Sequence, residues 1–193
     1  ASLLQQYPSL CQRIKHQDLR CQTIQSWSSD ADMQAGLALG EKQQAFIDQL
    51  TLAIVSAEIQ HVRVVGEPGI GKSRLVLEAF KQSDSLAATS LYFRQATEFQ
   101  RSPLFNELLK VGFDGYVIVI ADECEESDRT QMWSVLKGRR HVKLITIDHG
   151  PAAPSSDPTE LTLELPALDP KETMAILQSY MPQGEGLDRW AAY

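Results

Sequence analysis

The stretch Gly66–Ser73, which reads GEPGIGKS, decides the fold of this chain. It fits the pattern G-x-x-x-x-G-K-[S/T], in which a glycine-rich turn wraps backbone N–H groups around phosphate. Gly69 and Gly71 permit backbone conformations and a close approach that a Cβ would obstruct. A β-type run, His61–Val65, precedes the turn, and an amphipathic helix is predicted after it over Lys72–Gln82. The stretch and its flanks therefore predict a phosphate-binding loop between a strand and a helix.

Each part of this loop has an expected role in holding a nucleoside triphosphate. Lys72 is placed to contact the β and γ phosphates, and the Ser73 hydroxyl to bind Mg²⁺. The helix that begins near Gly71 directs its positive N-terminal end at the phosphates. ATP or ADP with Mg²⁺ is therefore the predicted cofactor, and Arg74 is expected either to touch phosphate or to pair with an acidic side chain. The predicted nucleotide-binding residues are Gly66, Glu67, Pro68, Gly69, Ile70, Gly71, Lys72, Ser73 and Arg74.

A second signal is the apolar run Tyr116–Ala121, which predicts a central strand buried on both faces and leads into Asp122 and Glu123. Two acids at this place are the expected partners of a phosphate loop, because the first orients the Mg²⁺ shell and the second polarises the attacking water. We therefore predict Ser73 and Asp122 as metal ligands, and Lys72 and Glu123 as catalytic residues. An ordinary acidic loop is the alternative, since three more acidic residues follow by position 128.

The next predicted strand, Val142–Ile147, leads to the same edge of the sheet. Its tip carries three polar residues, Thr146, Asp148 and His149. One of them can reach the γ-phosphate or the attacking water, although a turn capped by Asp148 is equally expected. Arg139 and Arg140 precede this strand, where they either reach towards a neighbouring subunit or form a solvated helix end.

Two further groups of residues have competing interpretations. The spacing of Cys11, His16 and Cys21 suggests metal ligands, but a structural zinc site needs four ligands and no fourth lies nearby. The apolar residues before the first helix of the core either pack inside it or support an adenine ring. These residues are Trp27, Leu37 and Leu39.

Strand-like and helix-like runs alternate along the chain, which predicts a parallel sheet covered by helices on both faces. The expected strands are His61–Val65, Ser90–Phe93, Tyr116–Ala121, Val142–Ile147 and Leu161–Leu165. The expected helices are Ser2–Ile24 in one broken or two short pieces, Glu41–Ile59, Lys72–Gln82, Leu104–Lys110 after a Ser102-Pro103 start, Thr130–Lys137 and Pro170–Tyr180. The predicted fold class is therefore α/β, with a parallel five-stranded sheet flanked by helices.

This fold divides the chain into three predicted parts. Residues 1–36 form a helical N-terminal extension or linker, residues 37–168 form the core with the phosphate loop, and residues 169–193 begin a helical lid. Because the last helix looks interrupted, we expect the chain to be a piece of a larger protein.

Composition excludes several classes of protein. With 43% hydrophobic and 22% charged residues, the 193-residue chain has the composition of a soluble globular protein. A formal net charge of −7 disfavours electrostatic binding of nucleic acid. No apolar run approaches the roughly 20 residues of a membrane helix. The first residues lack the basic start and long apolar stretch of a signal peptide, so we do not expect one in this sequence. Three cysteines do not form a disulfide framework, so we expect a cytoplasmic protein.

Several segments resemble the STAND ATPases, a signal-transduction branch related to AAA+ proteins. GEPGIGKSRLVLEAF (66–80) resembles their phosphate loop and first helix, and LALGEKQQAFIDQL (37–50) resembles their entry helix without its usual arginine. ATEFQRSPLFNELL (96–109) resembles the segment after the second strand, and LPALDPKETMAILQSY (165–180) resembles the entry to the lid. These proteins often carry a Thr-Thr/Ser-Arg signature at the tip of the strand that corresponds to Val142–Ile147. Here Thr146-Ile147-Asp148 replaces it.

The resemblance implies a P-loop NTPase core that binds and hydrolyses ATP as the switch of a larger signalling or defence protein. It also implies flanking effector and sensor domains and self-association on activation, with bacterial antiviral STAND proteins as the nearest type. An AAA+ motor or DNA-loading ATPase is the alternative. A motor would carry an arginine finger before the fifth strand, where HGPAAPSSDP (149–158) contains no arginine. A non-hydrolysing nucleotide-dependent scaffold is the third possibility.

Overall fold

The computed structural model describes residues 20–33, 39–113, 115–153, 155–167 and 173–174. The predicted N-terminal extension up to position 19, and the predicted lid helix apart from Thr173 and Met174, lie outside these ranges. The described residues form a sheet with helices on both faces, as the sequence predicts. None of their helices is long and apolar enough to cross a membrane.

The sheet contains six strands, in the spatial order β1-β3-β4-β5-β2-β6. In chain order they are β1 (Cys21–Thr23), β2 (His61–Val65), β3 (Ser90–Phe93), β4 (Val117–Ala121), β5 (Val142–Ile147) and β6 (Glu160–Glu164). All neighbouring pairs are parallel except β1 with β3, which is antiparallel. The five predicted strands are therefore present and mutually parallel, but the prediction of a purely parallel five-stranded sheet is wrong.

The additional strand is β1, and it contradicts the predicted helix Ser2–Ile24 at Cys21–Thr23. The strand pairs with the free edge of β3, with Gln22 opposite Tyr92. Three residues are too short for an alternation to show in a sequence, and the ladder that holds them comes from a strand about 70 positions later. Tertiary pairing therefore overrides the helical spacing of the apolar residues at this point.

Seven α-helices lie among the described residues. They are α1 (Ile24–Ser28), α2 (Glu41–Val55), α3 (Lys72–Lys81), α4 (Asp84–Ala88), α5 (Ala96–Gln100), α6 (Pro103–Leu109) and α7 (Glu126–Leu136). The start of α6 is as predicted, because Ser102 Oγ accepts a hydrogen bond from the Phe105 N–H at 3.2 Å and Pro103 is the first helical residue. The three five-residue helices α1, α4 and α5 are not predicted by the sequence pattern.

Two apolar cores lie on opposite faces of the sheet. The core on one face includes Ile47 of α2, Phe80 of α3 and Ile120 of β4. On the other face, Leu108 of α6 and Met132 of α7 pack against the alternate residues of the same strand. The predicted burial of β4 on both faces is confirmed. Because β2, β4 and β5 are parallel, their carboxyl ends lie at the same edge of the sheet.

Candidate functional site

The phosphate loop joins β2 to α3, and its shape depends on glycine. Gly66 has φ +151°, and a Cβ there would lie 2.7 Å from Ile70 Cδ1 and 3.2 Å from the Leu165 carbonyl oxygen. Gly71 caps α3 with φ +91°, a conformation that other residues rarely adopt. A side chain at position 66 would therefore collide with Ile70 and with Leu165 after β6, and a non-glycine residue at position 71 would strain the backbone at the start of α3.

Lys72 lies at the first position of α3, and its ammonium group points back into the loop. Its Nζ donates to the carbonyl oxygens of Gly66 at 2.9 Å and Glu67 at 2.8 Å, and lies 2.9 Å from Nδ1 of His149. Burial lowers the pKa of Lys72, while the nearby Asp122 opposes that shift. All three ammonium hydrogens thus have partners in the protein, and the ammonium must release one of them to contact a phosphate.

His149 connects Lys72 to Glu123. An ammonium group can only donate, so Nδ1 of His149 accepts and its Nε2 carries the hydrogen. That Nε2 lies 3.2 Å from Oε2 of Glu123, an acceptor. Sequence reasoning named His149 among three candidates at the tip of β5, and the structure places it against both predicted catalytic residues.

Asp122 and Ser73, the predicted metal ligands, lie in direct contact. The Ser73 hydroxyl donates to Oδ2 of Asp122 at 2.6 Å, and the Glu123 N–H donates to Oδ1 at 2.9 Å. A third donor, the Tyr92 hydroxyl, lies 3.0 Å from Oδ2. Desolvation raises the pKa of Asp122, and these hydrogen bonds oppose the shift. A hydroxyl and a carboxylate beside a phosphate loop are the oxygen ligands that Mg²⁺ prefers, so the residues present fit that ion.

Glu123 differs from Asp122 in backbone and exposure. It has φ +44° and is the one non-glycine residue with positive φ among those described. Its side chain is 60% exposed, against 42% for His149. The turn after β4 therefore buries the first acid and leaves the second open to solvent, which suits a group that has to contact water.

The other two candidates at the tip of β5 face different partners. Asp148 accepts from Arg63 of β2 at 2.7 and 2.9 Å, and also from the Gly150 N–H at 2.7 Å. Thr146 is fully buried, with its Oγ1 3.0 Å from Nε2 of His61. Asp148 thus caps a turn, which is one of the two roles that the sequence predicts for this position. Its carboxylate also neutralises the buried Arg63.

Sequence reasoning missed Arg63 and Tyr92. A charged residue in the middle of the apolar run HVRVV is the signal that could have revealed Arg63, since a buried arginine needs an acidic partner. Tyr92 gives no such signal, because tyrosine is common in strands.

Two of the three arginines singled out in the sequence, Arg74 and Arg139, have defined neighbours. Arg74 donates from Nη1 to the Met33 carbonyl oxygen, and its Nε lies 3.1 Å from Oε1 of Glu78. It therefore forms the acid pair that was one of its two expected roles, and its contact with phosphate stays a prediction. Arg139 donates to the carbonyl oxygens of Val135 and Leu108 at 3.3 Å each. Arg140, in contrast, is exposed.

Trp27 belongs to the core. It is 1% exposed and stacks on Tyr92, with ring centroids 3.8 Å apart and planes 6° apart. The core interpretation of Trp27 thus holds. Leu39 is 43% exposed, and Leu37 lies outside the described residues. Of the suggested zinc ligands only Cys21 is described, and the described ranges hold no group of three or more His, Cys, Asp or Glu residues suited to a metal ion.

A cavity of about 1040 Å³ opens beside this site. Its lining includes Glu123 and His149 of the site, together with Arg63, Arg129, Ser155 and Thr162. It lies where the β5–β6 connection crosses the sheet, and the described part of that connection contains no helix. Glu123 therefore borders an open space as well as the phosphate loop.

No family model and no curated protein matches the chain. Among solved structures it is similar to C. elegans PCH-2, with TM-score 0.48 and 12% identity over 76% of this chain and 47% of that one. It is similar to AMPPCP-bound DnaA from Aquifex aeolicus, with TM-score 0.50 and 14% identity over 80% and 57%. It is also similar to the E. coli MS115-1 HORMA:CdnC:Trip13 complex, with TM-score 0.50 and 12% identity over 81% and 73%.

DnaA and Trip13 are AAA+ ATPases, and the similarity to these two structures shows that the chain has an AAA+-like P-loop fold. The chain spans about half the length of the first two neighbours, at 47% and 57%.

Proposed function

We propose that this chain is a nucleotide-binding ATPase module that binds ATP with Mg²⁺ and hydrolyses it. The observation that carries the proposal is the 2.6 Å contact between Ser73 of the phosphate loop and Asp122 at the end of β4. Two motifs that are 49 positions apart in the sequence are brought to one point, next to the Lys72 ammonium. The AAA+-like fold supports the proposal, and the AMPPCP bound to the DnaA neighbour supports a nucleotide as the ligand.

Each residue has a distinct task in this proposal. The loop N–H groups and the start of α3 bind the phosphates, and Lys72 exchanges a protein acceptor for a phosphate oxygen. Ser73 and Asp122 would hold Mg²⁺, which supplies charge neutralisation of the phosphates when bound. Glu123, open to solvent, orients and polarises the attacking water. His149 holds the Glu123 carboxylate near Lys72 until the ammonium turns to phosphate.

We further propose that the module acts as a switch, in which the nucleotide state controls self-association of a larger signalling or defence protein of the STAND type. The sequence resemblance supports this role, and so does the segment 149–158, which contains no arginine for a motor-type finger. Flanking effector and sensor domains and an antiviral role belong to the same proposal. An AAA+ motor or DNA-loading module is the competing function, and the fold is compatible with both roles.

The binding proposal is tested by the substitution Lys72→Ala. It leaves the phosphate charge uncompensated in a site built around that ammonium, so we expect ATP affinity to fall at least about tenfold, or about 1.4 kcal/mol. Isothermal titration calorimetry measures the change. Lys81→Ala is the matched control, because Lys81 lies on the same helix and pairs with Glu78 at the surface. Equal ATP affinity in both variants would overturn the assignment of the loop.

A further inference from the structure

We propose that Tyr92 is a positioning residue that fixes the Asp122 carboxylate for Mg²⁺, and that Trp27 holds Tyr92 in place. The inference rests on the proposed function, since it concerns the metal ligand of the same site. Tyr92 belongs to β3 and is outside both sequence motifs. Its side chain is 4% exposed, and its hydroxyl donates to Oδ2 of Asp122 at 3.0 Å.

The Tyr92 hydrogen bond is distinct from the other two that Asp122 receives. Ser73 is itself a predicted metal ligand, and the Glu123 N–H belongs to the adjacent peptide group in the turn after β4. Tyr92 is anchored in the neighbouring strand, where it pairs with Ile120 in the parallel register. The Tyr92 hydroxyl therefore links the Asp122 carboxylate to the sheet. Unlike Ser73, Tyr92 has no predicted role in binding phosphate or metal.

Buried surroundings make this contact strong. Asp122 is 6% exposed, so a carboxylate oxygen that lost its donor there would find little water to replace it. The neutral phenol of Tyr92 has one O–H to donate, and its oxygen lies 3.0 Å from Oδ2 of Asp122. The carboxylate is thus held in one orientation, with Oδ2 towards Ser73 and Tyr92 and Oδ1 towards the Glu123 N–H.

Trp27 fixes the Tyr92 ring from the other side. The two rings stack 3.8 Å apart and nearly parallel, and Trp27 is 1% exposed. The helix that carries Trp27 begins after Thr23, whose Oγ1 accepts from the Ser26 N–H at 3.2 Å. It follows β1, in which Gln22 pairs with Tyr92 itself. Within the segment Cys21–Ser28, the backbone of Gln22 pairs with Tyr92 and the ring of Trp27 stacks on the Tyr92 ring. The Tyr92 hydroxyl in turn contacts Asp122, the predicted metal ligand.

The test is Tyr92→Phe, which keeps the stacked ring and removes only the hydroxyl. ATP binding is measured by calorimetry in EDTA and across a Mg²⁺ titration, with phosphate release measured in parallel. We expect unchanged affinity in EDTA and an increase of about fivefold or more in the Mg²⁺ concentration that gives half-maximal effect, because one hydrogen bond to a buried charge is lost. Tyr116→Phe, at a half-exposed tyrosine outside the site, is the matched control and should match the parent.

A second variant, Trp27→Phe, loosens the stack and leaves the hydroxyl in place. We expect a smaller shift of the Mg²⁺ requirement in the same direction, with folding checked by circular dichroism. If Tyr92→Phe needs the same Mg²⁺ concentration as the parent, or loses ATP affinity equally with and without Mg²⁺, the positioning role is wrong while the proposed function stands. If the parent chain binds no ATP, the proposed function fails and this inference fails with it.

Discussion

Lys72, His149 and Glu123 form a continuous line of hydrogen bonds across the site, from the phosphate loop to the turn after β4. Each contact constrains the next, because the ammonium can only donate and the carboxylate can only accept. A phosphate that draws the ammonium away therefore also frees the histidine. This coupling gives the exposed Glu123 a defined position before any reaction begins.

At the residue scale, the two acids after β4 are expected to respond differently to substitution. Glu123→Gln preserves the shape of the side chain and its acceptor oxygen but removes the base, so ATP affinity should stay within about twofold while hydrolysis slows by about 100-fold or more. Calorimetry and a phosphate-release assay of the same samples separate the two effects. Hydrolysis at the parent rate would show that Glu123 is not the base.

Asp122→Ala is the comparison, because it removes a buried carboxylate that faces Ser73. ATP binding should lose its dependence on Mg²⁺, with affinity in EDTA close to that of the parent protein. The measurement is the ratio of ATP affinity with Mg²⁺ to that without it. A ratio unchanged from the parent would exclude Asp122 as a metal ligand.

The sequence predicted some of these residues and missed others for a physical reason. Lys72 and Ser73 belong to one local pattern whose spacing is fixed by the turn it forms, and Asp122 follows an obvious buried strand. Tyr92, in contrast, contacts Asp122, which lies 30 positions away in the sequence, and Arg63 contacts Asp148, which lies 85 positions away. Such contacts depend on which strands become neighbours, and a single sequence does not show that order.

At the scale of elements, the ion pair between Arg63 of β2 and Asp148 after β5 holds two strand ends together. Their side chains are 10% and 7% exposed, and the hydrogen bonds with Asp148 raise the pKa of Arg63. A Cβ on Gly150 would lie 2.6 Å from Nη2 of Arg63, so the turn packs directly on the guanidinium. The pair thus fixes the turn that carries His149.

We expect Arg63→Met to destabilise the fold by about 3 kcal/mol, because it leaves the Asp148 carboxylate buried without its partner. Urea unfolding followed by circular dichroism measures the loss. The double variant Arg63→Met with Asp148→Leu should recover part of it, since no buried charge remains. Arg101→Met, at an exposed arginine, is the control and should change stability by less than about 0.5 kcal/mol. A loss no larger than the control's would mean that the pair contributes little.

Element lengths explain which parts of the fold the sequence predicted. The helices α2, α3 and α7 are 15, 10 and 11 residues long, enough for a helical pattern to show, and the strands are marked by short apolar runs. The three-residue β1 and the five-residue α4 and α5 are too short for that, and they depend on their neighbours. For α4 the local signal is Ser83, whose Oγ lies 3.5 Å from the Leu86 nitrogen.

At the scale of the whole molecule, the fold alone does not separate a switch from a motor. One fold can serve both functions, so the difference has to come from the residues that one copy presents to another. The chain has a net charge of −7, and residues 149–158 contain no arginine. Arg139, one of the two arginines before β5, donates to backbone carbonyls of α6 and α7.

We expect the chain to remain monomeric with ATP and Mg²⁺ and to hydrolyse ATP more slowly than about 1 s⁻¹, the lower end of ordinary enzyme rates. Mutual repulsion between acidic copies opposes association, and a neighbour would bring little positive charge to the γ-phosphate. In a switch, sensing elsewhere in the protein supplies the free energy that shifts the population to an assembled state. Sedimentation velocity and a phosphate-release assay test both statements, with Lys72→Ala as the nucleotide-blind control. A stable ring that turns over faster than this limit would favour the motor.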